Sequence, residues 1–211
     1  MNIMRSEILS FLLFVKYISG LFHIISIKNS DTFDYITGSY TITGKIYDEI
    51  EILNCERMIK ILNIIDTSVD SIDSKVFEKL PNLEVINFES NELVDFPQSI
   101  LSIEKLRELR LKNNKLRNLP ENINSLSNLK ILDLSHNCLD SIPDTVCLMN
   151  GLFELYLSEN QIKILPENIG DLSNLRVLDL YSNRLSELPN SIISLRSLKT
   201  LYIQIYQIIL K

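Results

Sequence analysis

Apolar side chains return along this chain in a fixed order. Leu83, Leu106, Leu129, Leu152, Leu175 and Leu198 stand 23 residues apart, and the same step links Asn91, Asn114, Asn137, Asn160 and Asn183, and Pro97, Pro120, Pro143, Pro166 and Pro189. The unit reads Leu-x-x-Leu-x-Leu-x-x-Asn-x-Leu-x-x-Leu-Pro-x-x-Ile, and is cleanest in residues 129–146 and 175–192. Such a period marks one supersecondary unit stacked many times, each unit too small to bury its apolar face alone. In Leu132-Asp133-Leu134 and its equivalents, leucines two apart point to one side of an extended strand and the residue between them to the other. One strand per unit follows. All strands begin at the same phase, so they run parallel, and the rest of each unit is the return path.

The remaining positions have their own physical reasons. Where a strand ends, the backbone must turn inside the core, and an Asn side chain offers two donors and an acceptor to groups otherwise left unpaired. The five asparagines are therefore expected to form a buried structural ladder. Proline fixes φ and gives up its N–H, which suits an outer arc that builds no regular helix. Ile100, Ile123, Val146, Ile169 and Ile192 are expected to cover that outer side.

Upstream of Leu83 the step becomes 24, giving Ile59, Leu62, Ile64, Thr67, Val69, Ile72 and Val76. This reads as a first, degenerate unit with Thr67 at the ladder position and Asp73 at the proline position. A shorter echo, Tyr47-x-x-Ile50-x-Ile52-x-x-Cys55, fits an edge strand, and residues 30–57 fit a cover over the end of the stack. Residues 8–27 are almost wholly apolar, interrupted by Lys16 and His23. Three readings stand: a capping helix, a secretory signal with residues 1–5 as its charged start, or a membrane span in which Lys16 costs about 2.5–3.5 kcal/mol. At the other end Tyr206 falls where the ladder Asn belongs, and the apolar Ile208-Ile209-Leu210 follows. Repeats thus start near 59, 83, 106, 129, 152, 175 and 198, in a domain spanning 57–211 after an N-terminal region spanning 1–56.

With these motifs the chain resembles a leucine-rich-repeat protein, of the subclass with 23-residue units ending in Leu-Pro-x-x-Ile that includes the Ras-suppressor-like, scribble-like and plant Ras-group members. The resemblance implies an α/β solenoid, a horseshoe with a parallel concave sheet and an irregular or short-helical convex side. It also implies a non-enzymatic scaffold that binds a partner protein on the concave surface. Two other classes share the fold: a secreted or membrane-anchored recognition receptor, and a regulatory subunit of a phosphatase or small GTPase.

Composition narrows these expectations. With 45% hydrophobic and 23% charged side chains over 211 residues, the chain can bury a core. Its 21 Lys+Arg against 27 Asp+Glu give a net charge of −6, and a nucleic-acid partner is not expected of an acidic, evenly mixed chain. Cys55, Cys138 and Cys147 are odd in number and far apart, so neither a disulfide framework nor a zinc clasp is indicated. No Asn begins a glycosylation sequon. Both features lean toward a reducing, cytoplasmic setting for a signalling scaffold, with secretion or membrane association as the alternative if residues 1–20 act as a signal.

Motifs that would carry chemistry are incomplete. Gly38-x5-Gly44-Lys45-Ile46 has one residue too many for a phosphate loop, and Ile46 lacks the hydroxyl that would meet magnesium. His23 and His136 have no second histidine nearby, and Asp133 and Asp179 project two strands apart, about 10 Å, with Tyr156 between. No catalytic residue, metal site or cofactor is therefore expected. What the period does assign is the sheet face. Its central column runs Asn87, Arg110, Asp133, Tyr156, Asp179, Tyr202, and two residues on come Glu89, Lys112, Ser135, Ser158 and Tyr181. Two candidate contacts follow. Arg107, Arg110 and Lys112 form a basic rung that suits an acidic peptide, unless Glu89, Glu108 and Asp133 balance it. Phe153, Tyr156, Tyr181 and Tyr202 form an aromatic group beside Asp179, a usual anchor type in protein contacts.

Overall fold

A computed structural model describes residues 32–34, 39–43, 59–72, 75–78 and 80–204. The expectations for residues 8–27, for Gly38, Gly44, Lys45 and Ile46, for Tyr47–Cys55, for Asp73 and for Tyr206 onward lie outside the described residues.

Among the described residues nine strands form one sheet in sequential order: β1 (Thr32–Asp34), β2 (Ser39–Thr43), β3 (Ile61–Ile65), β4 (Val85–Asn87), β5 (Glu108–Arg110), β6 (Ile131–Asp133), β7 (Glu154–Tyr156), β8 (Val177–Leu180) and β9 (Thr200–Ile203). β1 pairs antiparallel with β2, and all later pairs are parallel. The architecture is the leucine-rich-repeat solenoid with its parallel sheet. β1 and β2 extend the sheet beyond the first degenerate repeat, which the sequence pattern did not reveal, since Ser39–Thr43 carries none of the repeat's leucines. Asn63 of β3 ties β2 to the first repeat by donating Nδ2–H to Ser39 Oγ at 3.2 Å and Thr41 Oγ1 at 2.9 Å.

Strand registry follows the 23-residue step. Leu109, Leu132, Leu155 and Leu178 are paired neighbours and fully buried, each stabilising the stack by about 1.5–3 kcal/mol if burial replaces full exposure. Their flanking residues stay partly exposed on the opposite side of the sheet. A short helix, α1 (Lys75–Glu78), brings Phe77 within 6.2 Å of the Phe88 ring, closing the core over the first repeat.

The convex side consists of short 3₁₀ turns at Gln98–Ser102, Ile123–Ser125, Asp144–Leu148, Ile169–Asp171 and Asn190–Ser194. The spacing Pro-x-x-Ile now has a structural cause. The carbonyls of Pro97, Pro120, Pro143, Pro166 and Pro189 each accept a bond of 3.0–3.1 Å from the N–H three residues on, at Ile100, Ile123, Val146, Ile169 and Ile192. Proline supplies a fixed φ and an acceptor where no donor is needed, and the apolar residue that closes the turn drops inward. Ile100, Ile123, Val146 and Ile169 are fully buried, while Ile192 in the last turn is partly buried.

Candidate functional site

The ladder asparagines hold the sheet face rigid. Asn137 Nδ2 donates to Leu111 O of the preceding repeat (2.9 Å) and to Leu134 O (3.0 Å) and Ser135 O (3.2 Å) of its own, while Oδ1 accepts Leu116 N–H at 3.0 Å. Asn114 repeats this arrangement one coil earlier, and Asn160 and Asn183 one and two coils later. Asn91 donates to Ile64 O and Phe88 O, and its Oδ1 accepts the Thr67 hydroxyl at 2.6 Å and the Thr67 and Val69 N–H groups at 3.2 Å. All five are buried. Each residue just before the ladder, Ser90, Asn113, His136, Glu159 and Ser182, has φ between 54° and 59°, the left-handed turn that swings the chain off the sheet.

The central face column is paired in register as Asn87, Arg110, Asp133, Tyr156, Asp179, Tyr202. Asp133, Asp179 and Glu154 are held in place from their own rungs. Asp133 Oδ1 accepts Ser135 N–H (3.0 Å) and its hydroxyl, Asp179 Oδ1 accepts Tyr181 N–H (3.0 Å), and Glu154 Oε2 accepts the Tyr156 hydroxyl (2.9 Å). Burial, the bond to Glu154, and the negative charges of Glu154 and Asp133 push the Tyr156 hydroxyl up to about 12, with Arg110 opposing. Tyr156 is therefore a neutral, committed rung. Tyr181 and Tyr202 are different: they are 50% and 54% exposed. With Asp179, Ser158, His136 and Glu159 they line an open depression of about 290 Å³ at the end of the strands. His136, Ser158 and Glu159 were not among the sequence candidates. The signal for them was the period itself, since His136 and Glu159 share the column that precedes the ladder.

Of the two readings of Arg107, Arg110 and Lys112, the ion pairs fit the balanced one: Arg107 pairs with Glu84 (3.6 Å), Arg110 with Glu108 (2.6 Å) and Lys112 with Glu89 (3.5 Å). The charges balance across two neighbouring rungs. The expectation for Phe153 is corrected: it does not join the tyrosines but lies on the rim where β7 begins, with Lys130 Nζ 5.0 Å and Arg176 Cζ 4.7 Å from its ring centroid. Its cause is parity, as Phe153 and the core residue Leu155 stand two apart and so share a side.

Among the described residues no group of three His, Cys, Asp or Glu side chains is placed to hold a metal ion, and no helix is long and apolar enough to cross a membrane. Cys138 is exposed, whereas Cys147 is buried under the convex turns, where burial and then the charges of Asp144 and Asp171 push its thiol up to about 12. A thiol so disfavoured as thiolate is not a nucleophile at neutral pH.

A parallel strand per coil, an asparagine at five successive turns and a proline-closed convex arc define a class, and comparison with known proteins agrees. A leucine rich repeat family matches residues 57–116 and 104–162, and a second leucine rich repeat family matches residues 174–195. The chain belongs to the leucine-rich-repeat family. No curated protein matches it. Among solved structures it is similar to a leucine-rich-repeat protein of Leptospira interrogans, at 32% identity and a TM-score of 0.68 over 74% of this chain and 41% of that one. It is similar to the plant peptide hormone receptor RGFR1 in complex with RGF2, at 28% and 0.64 over 77% of this chain and 26% of that one. An internalin from Listeria monocytogenes shares the fold at 19% and 0.61, over 81% and 49%. The chain spans about a quarter to a half of the length of these structures. Members of this family generally serve as non-enzymatic modules that bind protein partners.

Proposed function

We propose that this chain is a non-enzymatic interaction scaffold that grips a partner protein on its concave sheet, with Tyr181, Tyr202 and Asp179 as the main contact. The observation that carries this reading is the pair of half-exposed tyrosines around the depression, with Tyr181 at the turn that Asn183 of the ladder locks. A preformed surface loses little conformational entropy on binding, so a few aromatic anchors suffice. Arg107, Arg110 and Lys112 are assigned to the sheet's own ion pairs rather than to the partner. The unbroken 23-residue step and the proline-closed turns support membership of the Leu-Pro-x-x-Ile subclass. The unpaired cysteine count and the missing sequons support an intracellular signalling role.

The test is affinity purification with mass spectrometry from the native cell. Tyr181→Ala with Tyr202→Ala is expected to remove the specific partner, while Leu148→Ala with Ile164→Ala, exposed and away from the sheet face, retains it. The opposite result moves the contact off the concave face.

A further inference from the structure

Charge is not evenly spread over the tyrosine-bearing face. The only cations on the sheet face among the described residues from β4 to β9 are Arg110 and Lys112, and both are paired with glutamates on that face. From β6 to β9 the face carries Asp133, Glu154 and Asp179 and no Lys or Arg, and none of the three carboxylates has an ion-pair partner among the described residues. The nearby cations are turned elsewhere: Lys130 and Arg176 lie against Phe153 on the rim. Both Asp133 and Asp179 are oriented through Oδ1 by their own rung, which leaves Oδ2 for a ligand. Tyr181 and Tyr202 stand beside Asp179, and an exposed tyrosine ring attracts a guanidinium or ammonium group over its face.

We infer that the β6–β9 half of the concave face takes an extended segment of the partner carrying arginine or lysine at every third residue. This rests on the concave-face reading above and adds the chemistry of the occupant. The charge requirement comes from the unpaired carboxylates, because a segment without cations would desolvate them uncompensated. The spacing comes from geometry. Asp133 and Asp179 are two rungs apart, about 9.6 Å, and a polyproline-type segment returns to the same face every three residues, about 9.3 Å. One cation then meets Asp133 and the next meets Asp179 with Tyr181 and Tyr202 around it.

The probe is a fluorescein-labelled peptide of three Arg-Pro-Pro repeats, titrated with the full chain by fluorescence anisotropy, alongside its Glu-Pro-Pro counterpart. Asp133→Asn with Asp179→Asn removes two charges yet keeps an oxygen to accept the Ser135 and Tyr181 N–H bonds. Glu121→Gln with Glu187→Gln removes the same charge from exposed residues off the sheet. The Arg-Pro-Pro peptide is expected to bind the unaltered chain and the glutamate variant alike, and the aspartate variant at least about tenfold more weakly, with affinity falling as salt rises. Equal binding of the Glu-Pro-Pro peptide, equal losses in the two charge variants, full retention by the aspartate variant, or no binding of the Arg-Pro-Pro peptide at all would each overturn the inference. Loss in Tyr181→Ala with Tyr202→Ala alone would overturn the charge assignment while leaving the tyrosine contact standing. The partner-capture experiment decides that contact separately.

Discussion

Asn137 uses its whole amide: three acceptor carbonyls share its two N–H groups, and a buried N–H of the preceding repeat takes its oxygen. Removing it leaves several buried backbone groups without partners, at about 1–3 kcal/mol each. Asn137→Ala is therefore expected to cost about 3–5 kcal/mol in chemical denaturation, against a change within about 0.5 kcal/mol for the exposed neighbour Cys138→Ala. Similar midpoints for the two would show that water replaces the amide. This role was legible in the sequence, because only a side chain with both donors and an acceptor explains Asn at five successive turns. The left-handed residue before it was not legible. Asp66, Ser90, Asn113, His136, Glu159 and Ser182 share that conformation but no chemistry, and none is glycine. The balancing of Arg110 was legible as one of two readings, since Glu108 stands two residues away on the same face.

At the scale of the element, the convex turns pack backbone against backbone. A Cβ built on Gly170 would fall 2.1 Å from Ser191 O and 2.9 Å from Ser191 C, both in the next turn. Neither atom can move without shifting the coil. On Gly151 the closest approaches are 3.0 Å to the flexible Lys130 Nζ and 3.1 Å to Ser127 O. Gly170→Ala is expected to destabilise by about 1–3 kcal/mol through overpacking, and Gly151→Ala by clearly less. Melting curves of the two variants decide it, and an equal fall would deny that turn-to-turn contact limits the spacing. The strands and the closing prolines of this arc were legible because an apolar pair and a proline recur at a constant 23-residue step. The 3₁₀ form of the turns was not, since the hydrogen bond from Val146 N–H to Pro143 O is made by backbone groups that every such turn could offer. β1 and β2 stayed hidden for a related reason: β2 is held by backbone pairing and by Asn63, not by a repeated side-chain pattern.

At the scale of the molecule, every strand among the described residues touches only its neighbours in sequence order, and each convex turn packs on the next. Stability in such a stack is close to a sum of coil and interface terms, so damage stays local. In the last described coil Leu201 is 38% exposed, whereas its equivalents Leu155 and Leu178 are fully buried. Asn183 joins the β8 coil to the β7 coil through Leu157 O and the Ile162 N–H. In hydrogen exchange followed by mass spectrometry, Asn183→Ala is expected to strip protection from β8 and β9 while the amides of β4 and β5 exchange as before. Tyr181 and Tyr202 lie in the coils that loosen, so the same variant should weaken partner capture without touching a contact residue. Uniform loss of protection from β4 to β9 would instead make the solenoid one cooperative unit. The candidate binding surface would then depend on the distant repeats as much as on its own.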